Sequence, residues 1–110
     1  MGSEDRLAAL NSLVEKKPDD PFPRYGLAME YSRLGRAGDA IAAFSHLLDR
    51  HPDYVPTYYQ AGMALAAAGD RQRAQQVLRD GAAVADRLGN VHAGNELREA
   101  LSRIMEEAGL

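Results

Sequence analysis

Residues 18–52, PDDPFPRYGLAMEYSRLGRAGDAIAAFSHLLDRHP, decide the fold, because the chain repeats their pattern one period later. Pro18 and Pro52 stand 34 residues apart. At the same offset Leu13 aligns with Leu47, Asp19 with Asp53, Tyr25 with Tyr59, Met29 with Met63, Gly35 with Gly69 and Ala40 with Ala74. A fixed period of this length marks stacked supersecondary units, each too small to bury its apolar face alone.

Inside this stretch both the punctuation and the apolar spacing are helical. Asp20 reads as an N-cap followed by Pro21 at the first helical position, where a missing N–H costs nothing. The spacing then predicts a helix over about 21–34 with Leu27, Ala28, Tyr31 and Leu34 on its buried stripe. Gly35 stops it, since glycine takes the left-handed conformation that follows a last helical turn. A second helix over about 38–50 buries Ala40, Ile41, Phe44, Leu47 and Leu48, and Pro52 closes it. Two such helices joined by a tight turn form a helical hairpin.

Working outward, residues 4–16 put Leu7, Leu10, Leu13 and Val14 on one face and end before Pro18, because the residue ahead of a proline is pushed out of helical geometry. Downstream, a helix over about 54–68 carries Tyr58, Ala61, Gly62 and Leu65 and ends at Gly69. The next, over about 71–88, carries Ala74, Val77, Leu78, Gly81, Ala82, Ala85 and Leu88 and ends at Gly89. Asp86 stands where a third proline is due, so this helix is expected to run about a turn longer than its counterpart. A last segment, 91–108, lines up Leu97, Ala100, Leu101, Ile104 and Met105 and reads as an amphipathic cap.

Composition narrows the function classes. With 110 residues the chain suits one small domain, 1–110, burying about two-thirds of its unfolded surface. It has no cysteine, hence no disulfide frame or thiolate metal site, which favours a reducing compartment and a cytoplasmic location. The net charge is −3 with both signs interspersed, so no electrostatic footprint for nucleic acid or an anionic membrane is expected. No run approaches the roughly 20 apolar residues of a membrane span. Met-Gly-Ser-Glu-Asp at the start is acidic where a secretory leader would be basic, so no leader is expected.

These residues resemble the tetratricopeptide repeat family. In the unit 21–54, Leu27-Ala28, Tyr31, Gly35, Ala40, Phe44 and Pro52 stand where the family places its leucine and small residue, tyrosine, turn glycine, alanine, aromatic and terminal proline. The unit 55–88 keeps Tyr58, Gly62, Gly69 and Ala74 but has Leu65 for the tyrosine, Leu78 for the phenylalanine and Asp86 for the proline. Residues 4–20 look like the second helix of an incomplete repeat, with Leu10, Leu13 and Pro18 in register. The resemblance covers about 80 of the 110 residues. It implies an all-α right-handed α-α superhelix, a solenoid of two full hairpins with an N-terminal half-repeat helix and a C-terminal capping helix.

The resemblance further implies that the first helix of each repeat lines a concave groove that takes a peptide or helix from another protein. The family's inward-facing positions fall on Phe22, Tyr25, Met29, Ser32 and Arg33, and on Tyr59, Gln60, Met63, Ala66 and Ala67. The spacing of Tyr25, Met29 and Arg33 independently places them on one face, since residues four apart are helix neighbours. Leu27, Tyr31 and Leu34 take a different stripe, so Tyr25 and Met29 are expected to be partly exposed. A repeated Tyr–Met pair suits an apolar peptide or amphipathic helix, methionine being adaptable and tyrosine offering area with a polar tip. The alternative is self-packing: these four side chains on one another, or under the C-terminal helix. The family's carboxylate-clamp subclass fits poorly, because methionine replaces the clamp's asparagine and Arg33 is the groove's only basic residue.

Catalysis has little support. His46, His51 and His92 fall on different segments and read as ordinary surface histidines, so no metal is expected. Asp19-Asp20 suits a helix start, and Glu106-Glu107 a solvated end. No glycine-rich phosphate cradle is present, and no cofactor is expected. The chain is therefore expected to be a non-enzymatic protein-binding adaptor or scaffold of unknown partner. The alternative is a homodimer or larger homo-oligomer joined through repeat surfaces or the N-terminal helix.

Overall fold

The structure, a computed structural model, describes residues 2–107. Ala108, the last residue expected in the capping helix, lies outside the described residues. Among these are six helices and no strand: α1 (Ser3–Lys16), α2 (Pro21–Arg33), α3 (Ala37–Arg50), α4 (Pro56–Ala67), α5 (Arg71–Arg87) and α6 (Val91–Glu107). The all-α repeat architecture expected from the period is thus present. The chain divides between Tyr54 and Val55 into two compact units.

In the first unit α1 packs on α2, and α2 on α3. The Asp20 carboxylate accepts a hydrogen bond from the Phe22 N–H at 3.0 Å, which caps α2. At the other end Gly35 has φ 76°. This lets the Arg36 N–H donate to the Tyr31 carbonyl at 2.9 Å and the Gly35 N–H to that of Ser32 at 3.1 Å, which closes α2 by a Schellman motif. Arg36 then stacks its guanidinium 4.8 Å above the Tyr31 ring and binds Asp39 at 2.8 Å, fixing the turn into α3. Leu7, Leu27, Ala28, Ala40, Phe44 and Leu47 form the core. Tyr31, Leu34, Ile41 and Leu48, expected on buried stripes, are half-buried at its margin. On α1, Leu7 is buried and Leu10 and Val14 half-buried, but Leu13 is 44% exposed. One neighbouring helix covers less than the full apolar stripe.

Glu30 is 6% exposed despite its charge. Its carboxylate accepts from Arg6 on α1 at 3.3 Å and from Nε of Arg33 at 3.2 Å. The Arg33 hydrogen bond is the main reason that its carboxyl stays below the usual carboxylate range, against the opposing effect of lost hydration. The pair of arginines covers the group at the edge of the unit, so α1 is tied to α2 by charge as well as by Leu7.

In the second unit α5 packs between α4 and α6, and α6 also touches α4. Helix α4 begins at Pro56 rather than at 54, because Pro56 is preorganised for the first helical position and residues 52–55 make a turn. Gly69 (φ 89°) and Gly89 (φ 76°) repeat the closure seen at Gly35, with Asp70 N–H on the Leu65 carbonyl at 2.9 Å and Asn90 N–H on that of Ala85 at 2.8 Å. Asp70 and Asn90 turn round to cap the next helices through the Arg73 and Ala93 N–H groups.

Two glycines set how closely α4 and α5 approach. A Cβ on Gly62 would stand 2.6 Å from Cδ2 of Leu78, and one on Gly81 would stand 2.5 Å from Cβ of Tyr58. Leu97, Ala100 and Ile104 bury the inner stripe of α6. Asp86, at the position where a proline is due, lies in the continuing α5 and accepts from Nη1 of Arg98 with both carboxylate oxygens, at 2.9 and 3.1 Å. The helix runs on past the proline position and uses the freed residue to hold α6.

Candidate functional site

Each unit presents one of the two sets of candidate binding residues. On α2, Phe22 in the first turn is 69% exposed. Tyr25 and Met29 are half-buried, and Arg33 is exposed with its guanidinium held by Glu30. On α4, Tyr59, Gln60 and Met63 are all half-buried, while Tyr58, Ala61 and Leu65 point into the core of that unit. Helical spacing accounts for the split: positions 58, 61, 62 and 65 share the inner stripe, and 59, 60 and 63 flank it.

Tyr25 does more than line a surface. Its ring meets Phe44 edge-on with centroids 6.3 Å apart, and Tyr54 edge-on at 5.7 Å. Burial is the first cause that lifts the Tyr25 phenol above its ordinary range, with Tyr54 adding to it; burial likewise lifts Tyr54. Since Phe44 is only 1% exposed, Tyr25 joins the core to the surface. Nothing in the local sequence marks Tyr54, because its contact depends on the turn after α3 folding back toward α2. Arg33 likewise serves a second purpose that spacing alone did not show: it neutralises the covered Glu30 three residues before it.

The histidines separate into two kinds. His92 pairs at the surface with Glu96 at 2.8 Å, one helical turn away. His46 and His51 line a single recess of the first unit together with Arg24, Arg50, Pro18 and Asp19. Sequence spacing could not bring these together, since Arg24 and His46 lie on different helices of the hairpin. Among the described residues no three His, Asp or Glu side chains gather in a way that could hold a metal ion. No helix there is long and apolar enough to cross a membrane.

The fold is similar to that of a tetratricopeptide repeat domain protein of Salinibacter ruber, with a TM-score of 0.75 and 33% identity, covering 79% of this chain and 97% of that one. A protein of Bordetella parapertussis is similar at a TM-score of 0.78 and 26% identity over 92% of this chain and 88% of that one. The TPR2B domain of yeast Sti1, solved in a complex with pHsp70, is similar at a TM-score of 0.87 over 96% of this chain and 84% of that one. At 16% identity this last likeness concerns the fold alone. No family model matches the sequence, and no curated protein matches it.

Proposed function

The chain belongs to the tetratricopeptide repeat family, and on that premise we propose that it binds an apolar peptide or amphipathic helix of a partner protein. The binding residues are Phe22, Tyr25, Met29 and Arg33 in one unit and Tyr59, Gln60 and Met63 in the other. The observation that carries this reading is Phe22. A large aromatic side chain left 69% exposed in an ordered first turn, beside half-buried Tyr25 and Met29, is poor economy for folding and good chemistry for an interface anchor. The Tyr–Met pair recurs at the same register on α4, which supports a partner with apolar side chains at helical spacing. A carboxylate clamp is not part of the proposal, because Arg33 is the only basic group of the set and is already engaged by Glu30. A cytoplasmic adaptor role without catalysis accords with the cysteine-free sequence.

Copurification from the native source, followed by mass spectrometry, identifies the partner and provides the assay. The variant Phe22→Ser with Met63→Ser is expected to lose that partner at least about tenfold while keeping its helix content, since an anchor typically contributes about 2 kcal/mol or more. Tyr25 is left intact because its truncation would also disturb Phe44. Unchanged capture by a folded variant would refute the assignment.

A second reading rests on Leu13. Its 44% exposure on α1 offers an apolar edge that a second copy of this chain could cover by a symmetric contact. Light scattering separates the two readings: a mass that rises with concentration, and falls back to that of one chain in Leu13→Glu, favours self-association.

A further inference from the structure

We propose that the recess formed by Arg24, His46, Arg50 and His51 is a binding site for a phosphate-like oxyanion that strengthens on acidification. Arg24 comes from α2, His46 and Arg50 from α3, and His51 from the residue that ends α3. Arg24, His46 and His51 are half-buried, and Arg50 is exposed. The site thus has walls on both helices of the hairpin, and it uses residues distinct from the apolar faces above.

The unit treats its other arginines differently. Arg6 and Arg33 share Glu30, and Arg36 holds Asp39. Among the described residues the side chains of Arg24, Arg50, His46 and His51 make no ion pair or hydrogen bond, while Asp49 acts on His46 electrostatically. Helix dipoles do not explain the cluster either. A cation at the C-terminal end of α3 is favourable, which accounts for Arg50 and His51, but Arg24 sits at the close of the first turn of α2, where the dipole is positive. Two guanidinium groups and two imidazoles converge on a recess whose lining holds one carboxylate, that of Asp19, and planar guanidinium forks suit the oxygens of phosphate.

The charged neighbours of His46 are Arg24 from α2 and Arg50, His51 and Asp49 from its own helix end, while Asp19 lines the recess from the connection before α2. Burial first, and then Arg24, Arg50 and His51, push the His46 imidazole below the ordinary histidine range, with Asp49 acting the other way. Asp19 is the one carboxylate of the lining, against two guanidinium groups. Protonation of His46 adds to the positive charge of the recess, so anion affinity must rise as pH falls, and a bound anion must raise the pKa of His46.

Sulfate is the first probe, because it stays dianionic across the range in which histidine titrates. Imidazole C–H resonances followed by NMR at about pH 5.5 are expected to shift saturably with sodium sulfate, and the affinity is expected to fall about tenfold or more by roughly pH 8. Arg24→Gln with Arg50→Gln should weaken binding by at least about tenfold, the scale of a lost charge-assisted contact. Should that pair fail to fold, His46→Gln provides the second test, and it should flatten the pH dependence. Shifts that grow linearly with salt and are matched by chloride at equal ionic strength would overturn the site, as would equal binding by a folded double variant. Inorganic phosphate and a phosphoserine peptide then distinguish the source. Tighter binding of the peptide assigns the anion to a phosphorylated protein, equal binding assigns it to free phosphate, and both uphold the recess.

Discussion

Phe44→Ala is expected to cost about 3–5 kcal/mol, the usual range for removing a buried aromatic ring. Phe44 is 1% exposed and fills the space between α2 and α3, where Ala28, Ala40 and Leu47 leave no comparable bulk. Its loss also removes the surface against which Tyr25 stands edge-on, so the candidate binding face should loosen along with the core. Against a whole stability on the order of 5–15 kcal/mol, that loss removes a large share of the margin and at the low end nearly all of it. Urea denaturation followed by circular dichroism checks this. Tyr25→Ala is the useful comparison, because a half-buried ring should cost clearly less than Phe44. A midpoint for Phe44→Ala within error of the parent would mean that Phe44 is not the centre of the hairpin.

The parts of the fold that could be read in the sequence are those where a backbone requirement selects one residue type. Gly35, Gly69 and Gly89 each take a positive φ that other residues avoid, so helix ends were legible there. Pro18 and Pro52 mark ends because they disfavour a helical residue before them. Pro56 instead marks a start, since its fixed φ and missing N–H suit the first helical position, and that preference would have moved the start of α4 from 54 to 56. Burial was less legible, since an apolar stripe shows which face turns inward without showing how much of it a neighbour covers. Leu13 is exposed for that reason.

Charge was the least legible feature. Glu30 looks like a solvent-facing residue until Arg6, 24 positions earlier in the chain, is brought against it. The recess of Arg24, His46, Arg50 and His51 is assembled from both arms of a hairpin, and no local spacing carries it. In contrast, the faces of Phe22, Tyr25 and Met29 and of Tyr59, Gln60 and Met63 each lie on a single helix, so periodicity could place them. Periodicity could not show that Tyr25 also meets Phe44 and Tyr54, because those contacts come from α3 and the turn beyond it.

Gly81→Leu is expected to be the most damaging change in the second unit. A Cβ at this position would lie 2.5 Å from Cβ and 2.7 Å from Cγ of Tyr58, and these atoms sit next to the α4 backbone. They cannot swing aside as the end of a flexible side chain would, so α4 and α5 must separate. Tyr58 is itself 5% exposed and its neighbours Ala61, Leu78 and Ala82 are buried, which leaves nowhere for the displaced ring to go without exposing apolar surface. Overpacking of this kind costs about 1–3 kcal/mol where the core yields, and more where it does not. The rigid neighbour puts Gly81→Leu at or above the top of that range. Gly62→Leu meets Cδ2 and Cγ of Leu78 instead, so rotation of that side chain can relieve part of the clash and the cost should be smaller. Gly81→Ala isolates the contact, since alanine otherwise favours a helix interior by nearly 1 kcal/mol over glycine. Thermal melts of the three variants check the order. A Gly81→Ala protein more stable than the parent would show that α4 and α5 are free to move apart.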